Sequence, residues 1–185
     1  MILMGENQEA ADIMVKVITM MRNVLSTHKL FNTLDEELKN LENYLEIEKL
    51  VYYNELNWSF EIAPNIHTVP VPRLILQPLA ENSIFHGIVP SNITGRIEIK
   101  AWQKDLVLHV LVCDNGMIPL EKRRELMQKL AEPFTDSDSG RPHIGLFNTH
   151  QRLQYIYGPE FGIELLPDDG KGTRFLLRIP ITAKD

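Results

Sequence analysis

The 185-residue sequence predicts an α+β fold, a two-layer α/β sandwich with helices on one face of a mixed sheet and amphipathic helices ahead of it. Three observations carry that reading. Short stretches with apolar residues at every second position, such as Leu56–Ile62 and Arg96–Trp102, have the period of strands. Segments of helical spacing separate them. The last two strands, Ile163–Leu166 and Thr173–Ile179, are joined through Asp168-Asp169-Gly170, with no room for a crossover helix. They pair as a hairpin, which argues against a simple doubly wound sheet.

From the N-terminus, Asn7 to Leu25 places Met14, Val17, Ile18, Met21, Val24 and Leu25 in one helical stripe, and Ser26-Thr27-His28 breaks it. A second helix runs from Leu34 to Tyr53, with Leu38, Leu41, Leu45 and Tyr52 on one side. Two adjacent amphipathic helices without a core of their own suggest packing on a partner subunit or a further helix; the plainer alternative is packing on the domain that follows. Pro64, Pro70 and Pro72 make the stretch after the first strand irregular. A helix covers Leu74 to Gly87, and strands follow at Arg96–Trp102 and Leu106–Cys113. The latter is apolar on both faces, as a central strand would be. Pro119 to Gln128 is helical, Thr135 to Gly140 reads as a mobile loop, and Thr149 to Tyr157 is a helix stopped by Gly158-Pro159.

Bulk properties exclude several functions. Apolar content of 44% and charged content of 24% are those of a globular domain, and the net charge of −6 without a Lys/Arg run argues against nucleic-acid binding. The single Cys113 cannot form an internal disulfide, which suits a reducing compartment. The first residues are too short for a signal-peptide core, and no apolar stretch is long enough to cross a bilayer.

Four segments supply polar groups and glycines where a core would ask for more hydrophobics: Gln77–Gly87, Asp114-Asn115-Gly116, Ile144–Asn148 and Gly170-Lys171-Gly172-Thr173. On a helix Asn82 and His86 share one face, while Leu76, Ala80, Ile84 and Ile88 lie on the opposite one. A carboxamide oxygen at Asn82 suits a hard cation beside phosphate oxygens. Glu81 is either an acid on the phosphate side or a surface residue. Asp114 ends a strand in which seven of the preceding eight residues are apolar, so it is a tight turn or a pocket carboxylate. Ile144-Gly145-Leu146 opens a helix with Asn148 in its first turn, offering free backbone N–H groups to an anion.

In this order and spacing the segments resemble the N, G1, G2 and G3 boxes of the sensor histidine kinases, within the superfamily that includes gyrase, Hsp90 and MutL; the match covers residues 56 to 180. The resemblance implies a Bergerat-type ATP-binding fold, with Mg²⁺ on Asn82 and His86 in the nucleotide region. It implies Asp114 on the adenine amino group, with Gly116 and Ile118 on the lid side. Gly145, Leu146 and Asn148 would face phosphates, and Gly170, Gly172 and Thr173 would lie near adenine. Asn82 and Glu81 would be the catalytic pair. The family pattern Asp-x-Gly-x-Gly lacks its second glycine here, where Ile118 stands, and His143 stands where a glycine precedes the third box. Hydrolysing members carry a general-base glutamate four residues before the asparagine; here that position is Pro78, which favours phosphotransfer. The span between Gly116 and Gly145 would be the ATP lid. Glu37-Leu38, Tyr44–Glu48 and Leu76–Leu79 resemble the LytS-like branch.

The expected organisation is therefore residues 1–55, the end of the dimerisation region and linker, followed by residues 56–185, the catalytic domain. The expected function is ATP-dependent phosphorylation of a histidine, with a phosphoacceptor helix of the same or a partner subunit and a response regulator as partners. The parent protein would be a homodimer with this domain in the cytoplasm and an anchor in the bacterial cell membrane. The alternative is a nucleotide-sensing module that binds ATP without transferring phosphate.

The LytS-like acceptor sits in a Pro-His-Phe-Leu-Phe-Asn motif, which His28-Lys29-Leu30-Phe31-Asn32 matches in part. Glu37-Leu38 follows His28 too closely to leave room for the family's helical hairpin, and Lys29 stands where many kinases place an acid. The acceptor is thus expected before Met1. Incubated with labelled Mg·ATP, the 185-residue chain should gain no acid-labile, base-stable phosphate. A label that disappears in His28→Ala would overturn this.

Overall fold

The computed structural model describes residues 29–51, 55–131 and 144–181. The helix expected at Asn7–Leu25, His28, Tyr52-Tyr53, the Thr135–Gly140 loop and His143 lie outside the described residues. The elements are β1 (Phe31–Thr33), α1 (Leu34–Val51), β2 (Leu56–Ile62), β3 (Pro70–Pro72), a composite helix α2 (residues 77–91), β4 (Gly95–Lys104) and β5 (Val107–Asp114). They continue with α3 (Leu120–Ala131), α4 (Ile144–Tyr157), β6 (Gly162–Leu165) and β7 (Arg174–Pro180).

Five strands form one mixed sheet in the order β2-β4-β5-β7-β6, parallel between β2 and β4 and antiparallel elsewhere. The period of two puts Ile97, Ile99 and Ala101 of β4, Leu108, Val110 and Val112 of β5, and Phe175, Leu177 and Ile179 of β7 on one buried face. The helices cover that face, as the α/β sandwich reading requires. The central place of β5 agrees with its sequence; burial on both faces does not. Val107, His109, Leu111 and Cys113 are only half-buried, because they point to the uncovered side, where Trp102 stacks on His109 at 5.4 Å. The β6–β7 hairpin forms with Ile163 opposite Leu177.

Helix α1 corrects the expectation of a surface made for another subunit. Its first turn is a capping box: Thr33 N–H donates to Glu36 Oε2 at 2.8 Å, and Glu36 N–H donates to Thr33 Oγ1 at 3.2 Å. Leu34, Leu38, Leu41, Tyr44 and Leu45 enter the same core as Ile75, Leu76 and Leu79. Each such leucine contributes about 1.5–3 kcal/mol by leaving water. The plainer alternative therefore holds for this helix. A second correction concerns the proline-rich stretch, which is not wholly irregular. Pro70–Pro72 pairs antiparallel with Phe31–Thr33, in a two-stranded ribbon where prolines leave few donors unmet.

Helix α2 starts later than Leu74, because Leu74 takes a left-handed φ of 55°. It comprises an α segment (Gln77–Asn82), a π segment (Ser83–Ile88) and a closing turn (Val89–Ser91). Pro78 lies in the first turn, where its missing N–H breaks no helical bond, so the helix does not restart there. Asn92 at φ 50° ends it. Helix α4 includes the opening turn expected at Ile144-Gly145-Leu146 ahead of Thr149, and stops at Gly158, whose φ is 107° and whose N–H donates to the Gln154 carbonyl at 2.8 Å.

Since Leu41 is 1% exposed within the shared core, Leu41→Ala should lower unfolding free energy by about 2–5 kcal/mol in a single denaturant transition. An unchanged midpoint would show that α1 is not part of the folding unit.

Candidate functional site

Asp114 continues the inward phase of β5 after Leu108, Val110 and Val112, which explains why a carboxylate is only 5% exposed. Its Oδ1 accepts a hydrogen bond from Gly116 N–H at 2.9 Å. Burial pushes its pKa up to about 6; the Ser83 hydroxyl and the N–H groups of Gly116 and Thr173 pull it partway back. Ser83 acts from nearby without closing a well-formed hydrogen bond. Asp114 Oδ2, Ser83 Oγ and Thr173 Oγ1 are all buried and close none within the protein. Three unsatisfied polar atoms around one carboxylate demand an external partner. An adenine edge, with its amino donor and ring acceptors, fits them.

Glycines make this pocket possible. A Cβ at Gly116 would stand 2.1 Å from the Gly87 carbonyl carbon, and one at Gly172 would stand 1.8 Å from the Asp114 carbonyl oxygen. Gly172 also has φ +128°. The π segment of α2 thus lies against the end of β5, backbone to backbone. Asp114 N–H donates to the Thr173 carbonyl at 2.9 Å and ties β5 to the entry of β7. Gly170, at φ +75°, serves the turn: its N–H donates to Asp168 Oδ1 at 2.9 Å.

On the other side of α2, Pro78, Glu81, Asn82, Phe85 and His86 face Gly145 and Leu146 across a cavity of about 160 Å³. Asn82 is 4% exposed there. Glu81 accepts from Gln77 Nε2 at 2.8 Å, and its charge adds to the burial that pushes the Glu48 carboxyl of α1 upward, against a Tyr44 hydrogen bond. Burial, and then the Lys122 charge on α3, hold the half-buried His86 imidazole below its ordinary pKa and neutral at pH 7. The first turn of α4 approaches α2 so closely that a Cβ added at Gly145 would reach van der Waals contact, at 3.5 Å, with Pro78 Cβ. Among the described residues no three His, Cys, Asp or Glu side chains converge to cage a metal. The Asn82 oxygen fits a Mg²⁺ ion whose other ligands are phosphate and water.

The fold therefore gathers Asn82, Glu81, His86, Gly145 and Leu146 on one side of α2, and Asp114, Gly116, Gly172 and Thr173 on the other. Ile118, two residues after Gly116, is buried. Asn148 is exposed and lines a separate cavity with Gln151, Arg152 and Tyr155, outside the wall of the Asn82 cleft. Sequence reasoning missed Ser83 and Lys122. Ser83 had a signal: it joins Ala80, Ile84 and Gly87 on the sheet-facing stripe, where a hydroxyl is out of place. Lys122, on an exposed helix, had none.

Comparison with known proteins agrees with this geometry. The sequence model of the family described as histidine kinase matches residues 1–56. YwpD of Bacillus subtilis (strain 168) is 34% identical over 148 residues, covering 79% of this chain and 50% of that protein. The sensor histidine kinase YesM of the same organism is 29% identical over 161 residues, covering 87% of this chain and 26% of its own length. The sensor protein kinase HptS of Staphylococcus aureus (strain USA300) is 25% identical over 173 residues, covering 94% and 32%. The chain thus spans half or less of these relatives. The catalytic domain of histidine kinase ThkA superposes with a TM-score of 0.57 at 20% identity, over 83% of this chain and 97% of that one. ThkA in complex with the response regulator TrrA gives 0.56 at 20% identity, over 93% and 49%. The fold is the α/β sandwich of the histidine kinase structures on which it superposes. In sequence the chain is similar to sensor histidine kinases.

The raised Asp114 pKa gives a prediction with a definite sign. The folded state holds the proton more tightly than the unfolded chain, so stability falls as pH rises from 3.8 to about 6. Above that window the buried charge costs about 3 kcal/mol. Asp114→Asn should raise the thermal midpoint at pH 7.5, with the gain vanishing near pH 4, while ATP binding weakens by about 1–3 kcal/mol or more. Scanning calorimetry and nucleotide titration check both halves. Equal ATP affinity in the variant would remove Asp114 from the site.

Proposed function

We propose that this chain is the ATP-binding catalytic part of a two-component sensor histidine kinase of the LytS-like branch. It holds Mg·ATP and passes the γ-phosphoryl group to a histidine of the dimerisation region. The observation that carries the reading is the buried Asp114, with Ser83, Thr173 and the flush glycines, where the end of β5 lies against the helix that bears Asn82.

In this reading Asp114 accepts the adenine amino proton, which disfavours guanine, whose matching position is an oxygen. Thr173 and Ser83 meet the remaining edge, Gly116 and Gly172 allow the ring to lie against backbone, and Ile118 walls the pocket. Gly170 shapes the turn before Thr173. His86 and Lys122 border the phosphate side with neutral donor and cation. Gly145 and Leu146 bring the opening N–H groups of α4 toward the phosphates, while Asn148 lies off the cleft; the cavity of about 160 Å³ is smaller than the roughly 300–1,000 Å³ of ligand sites, so that turn must draw back for ATP. Asn82 holds Mg²⁺, which neutralises phosphate charge. The acceptor imidazole nitrogen attacks the γ-phosphorus, the bond to the β–γ bridging oxygen breaks, and ADP leaves. The protein's part is positioning. Glu81, beside Asn82, is the acid of the phosphate side. Pro78 lies on the same cleft wall, where a hydrolytic base would stand.

The family match ending at residue 56 supports a division into a dimerisation-side segment, 1–55, and a catalytic domain, 56–185, although α1 is packed on the latter. The parent protein is then a homodimer whose phosphoacceptor helix, from either subunit, meets this cleft. ThkA has been seen in complex with the response regulator TrrA, which supports a response regulator as the next phosphate carrier here. Similarity to sensor kinases supports a domain that works in the cytoplasm of a membrane-anchored protein; no described helix is long and apolar enough to cross a membrane. Binding without transfer is the less favoured alternative, because the match to the kinase family lies in the segment that precedes the pocket.

Titration of the wild type should show ATP bound in preference to GTP and more tightly with Mg²⁺. Asn82→Ala should flatten the Mg²⁺ dependence while leaving adenosine affinity within twofold. Metal dependence that survives in the variant would refute the ligand role of Asn82.

A further inference from the structure

Helix α2, which carries both halves of the site, is launched from the turn Arg73-Leu74-Ile75, and that turn is gripped from two sides. From α1, the carboxylate of Glu37, only 2% exposed, accepts from Ile75 N–H at 3.1 Å and from Asn32 Nδ2 of β1 at 2.7 Å. From α4, Arg152 Nη2 donates to the carbonyl oxygen of Arg73. Between the two grips stands Leu74 in the left-handed region, at φ 55°, a conformation that costs an L-residue about 1–2 kcal/mol. Strain of this kind persists only where the surroundings over-determine it. Burial disfavours the Arg152 charge, and Glu37 partly restores it, so the two grips also support each other electrostatically. The turn further meets the start of the described chain: Arg73 N–H donates to the Leu30 carbonyl at 3.2 Å, and Arg73 Nη1 to the Lys29 carbonyl at 3.4 Å.

We propose that Glu37 and Arg152 are positioning residues that clamp the Arg73–Ile75 turn, and so fix the separation of α2 from α4 on which the phosphate end of the site depends. Neither residue touches the nucleotide in this arrangement. Arg152 lies about two turns beyond Gly145 along α4, and it lines the outer cavity rather than the Asn82 cleft. Its effect passes through the helix it holds. The adenine end does not need the clamp, because it is set by the backbone contacts of Gly87, Gly116 and Gly172. Segment Lys29–Thr33, bonded to the same turn and to Glu37, ties the chain arriving from the dimerisation side to this spacing. The inference rests on the proposed nucleotide site and concerns its regulation.

The test compares two ligands on the full chain. Arg152→Met removes the donor and the charge at similar length; Arg152→Lys restores both in part. Arg152→Met should weaken Mg·ATP binding at least tenfold while adenosine affinity stays within twofold, and Arg152→Lys should recover most of the loss. Far-UV circular dichroism confirms the fold in each case. Parallel losses for adenosine and Mg·ATP, or unchanged Mg·ATP binding, would overturn the clamp and leave the site standing. A wild type that binds adenosine and Mg·ATP no better than GTP would bring down the functional reading and the clamp with it.

Discussion

The closeness of backbone to backbone around Asp114 is the constraint on which the rest of the structure depends. The π segment of α2 can meet the end of β5 only because Gly87 and Gly116 carry no side chains, and β7 can enter beside them only because Gly172 carries none. The Gly87 carbonyl accepts from the Ser91 hydroxyl at 2.6 Å, and Ser91 Oγ in turn accepts from Met117 N–H at 3.1 Å. Helix, strand end and following loop are thereby one unit. With α2 held at this distance, its two faces become the two halves of a site. The inner one meets the Asp114 pocket and the outer one meets α4.

That packing also explains a carboxylate that works against the fold. Nothing in the protein compensates Asp114 fully, for one oxygen is served by Gly116 and the other closes no bond. A core built for stability would have placed an asparagine or a valine there. Strained or unsatisfied groups of this sort gather where a ligand completes them. The same logic does not extend to Glu37, which is buried as deeply but fully engaged by Asn32 and Ile75. One buried acid is a vacancy for a donor, and the other is a structural tie.

Much of this was legible in the sequence, because strand parity and glycine chemistry are local. Leu56–Ile62 was read to the residue, β5 was read as central, and the terminal hairpin followed from the shortness of its connection. Asp114 was legible as a pocket carboxylate because it ends an apolar strand, and parity alone would have placed it inward. What escaped depends on distant partners. Pairing of Pro70–Pro72 with Phe31–Thr33 joins segments that lie far apart in the chain, and prolines argue against strands. Docking of α1 could not be told from docking on another subunit, since an amphipathic stripe does not name what it covers. The π segment has no periodic signature, and the left-handed Leu74 contradicts its own residue type.

The missing second glycine of the first box has a counterpart in these contacts. Asn115 Oδ1 accepts from Arg96 N–H at 2.8 Å, Asn115 Nδ2 donates to the Thr94 carbonyl at 3.0 Å, and Ile118 is buried. The stretch from Asp114 to Ile118 is therefore pinned to β4 and α2, and a glycine at position 118 would loosen a wall rather than free a hinge. The contrast with the other side of α2 is physical. There the approach of Gly145 to Pro78 leaves room for an added Cβ at ordinary van der Waals distance, so no backbone interlock joins the two helices at that point. Backbone interlocks on the Asp114 side of α2 and their absence between Gly145 and Pro78 make one half of the candidate site fixed and leave the other free to adjust. Such a division suits a domain that must keep one ligand in register while its reacting group is presented to another part of the protein.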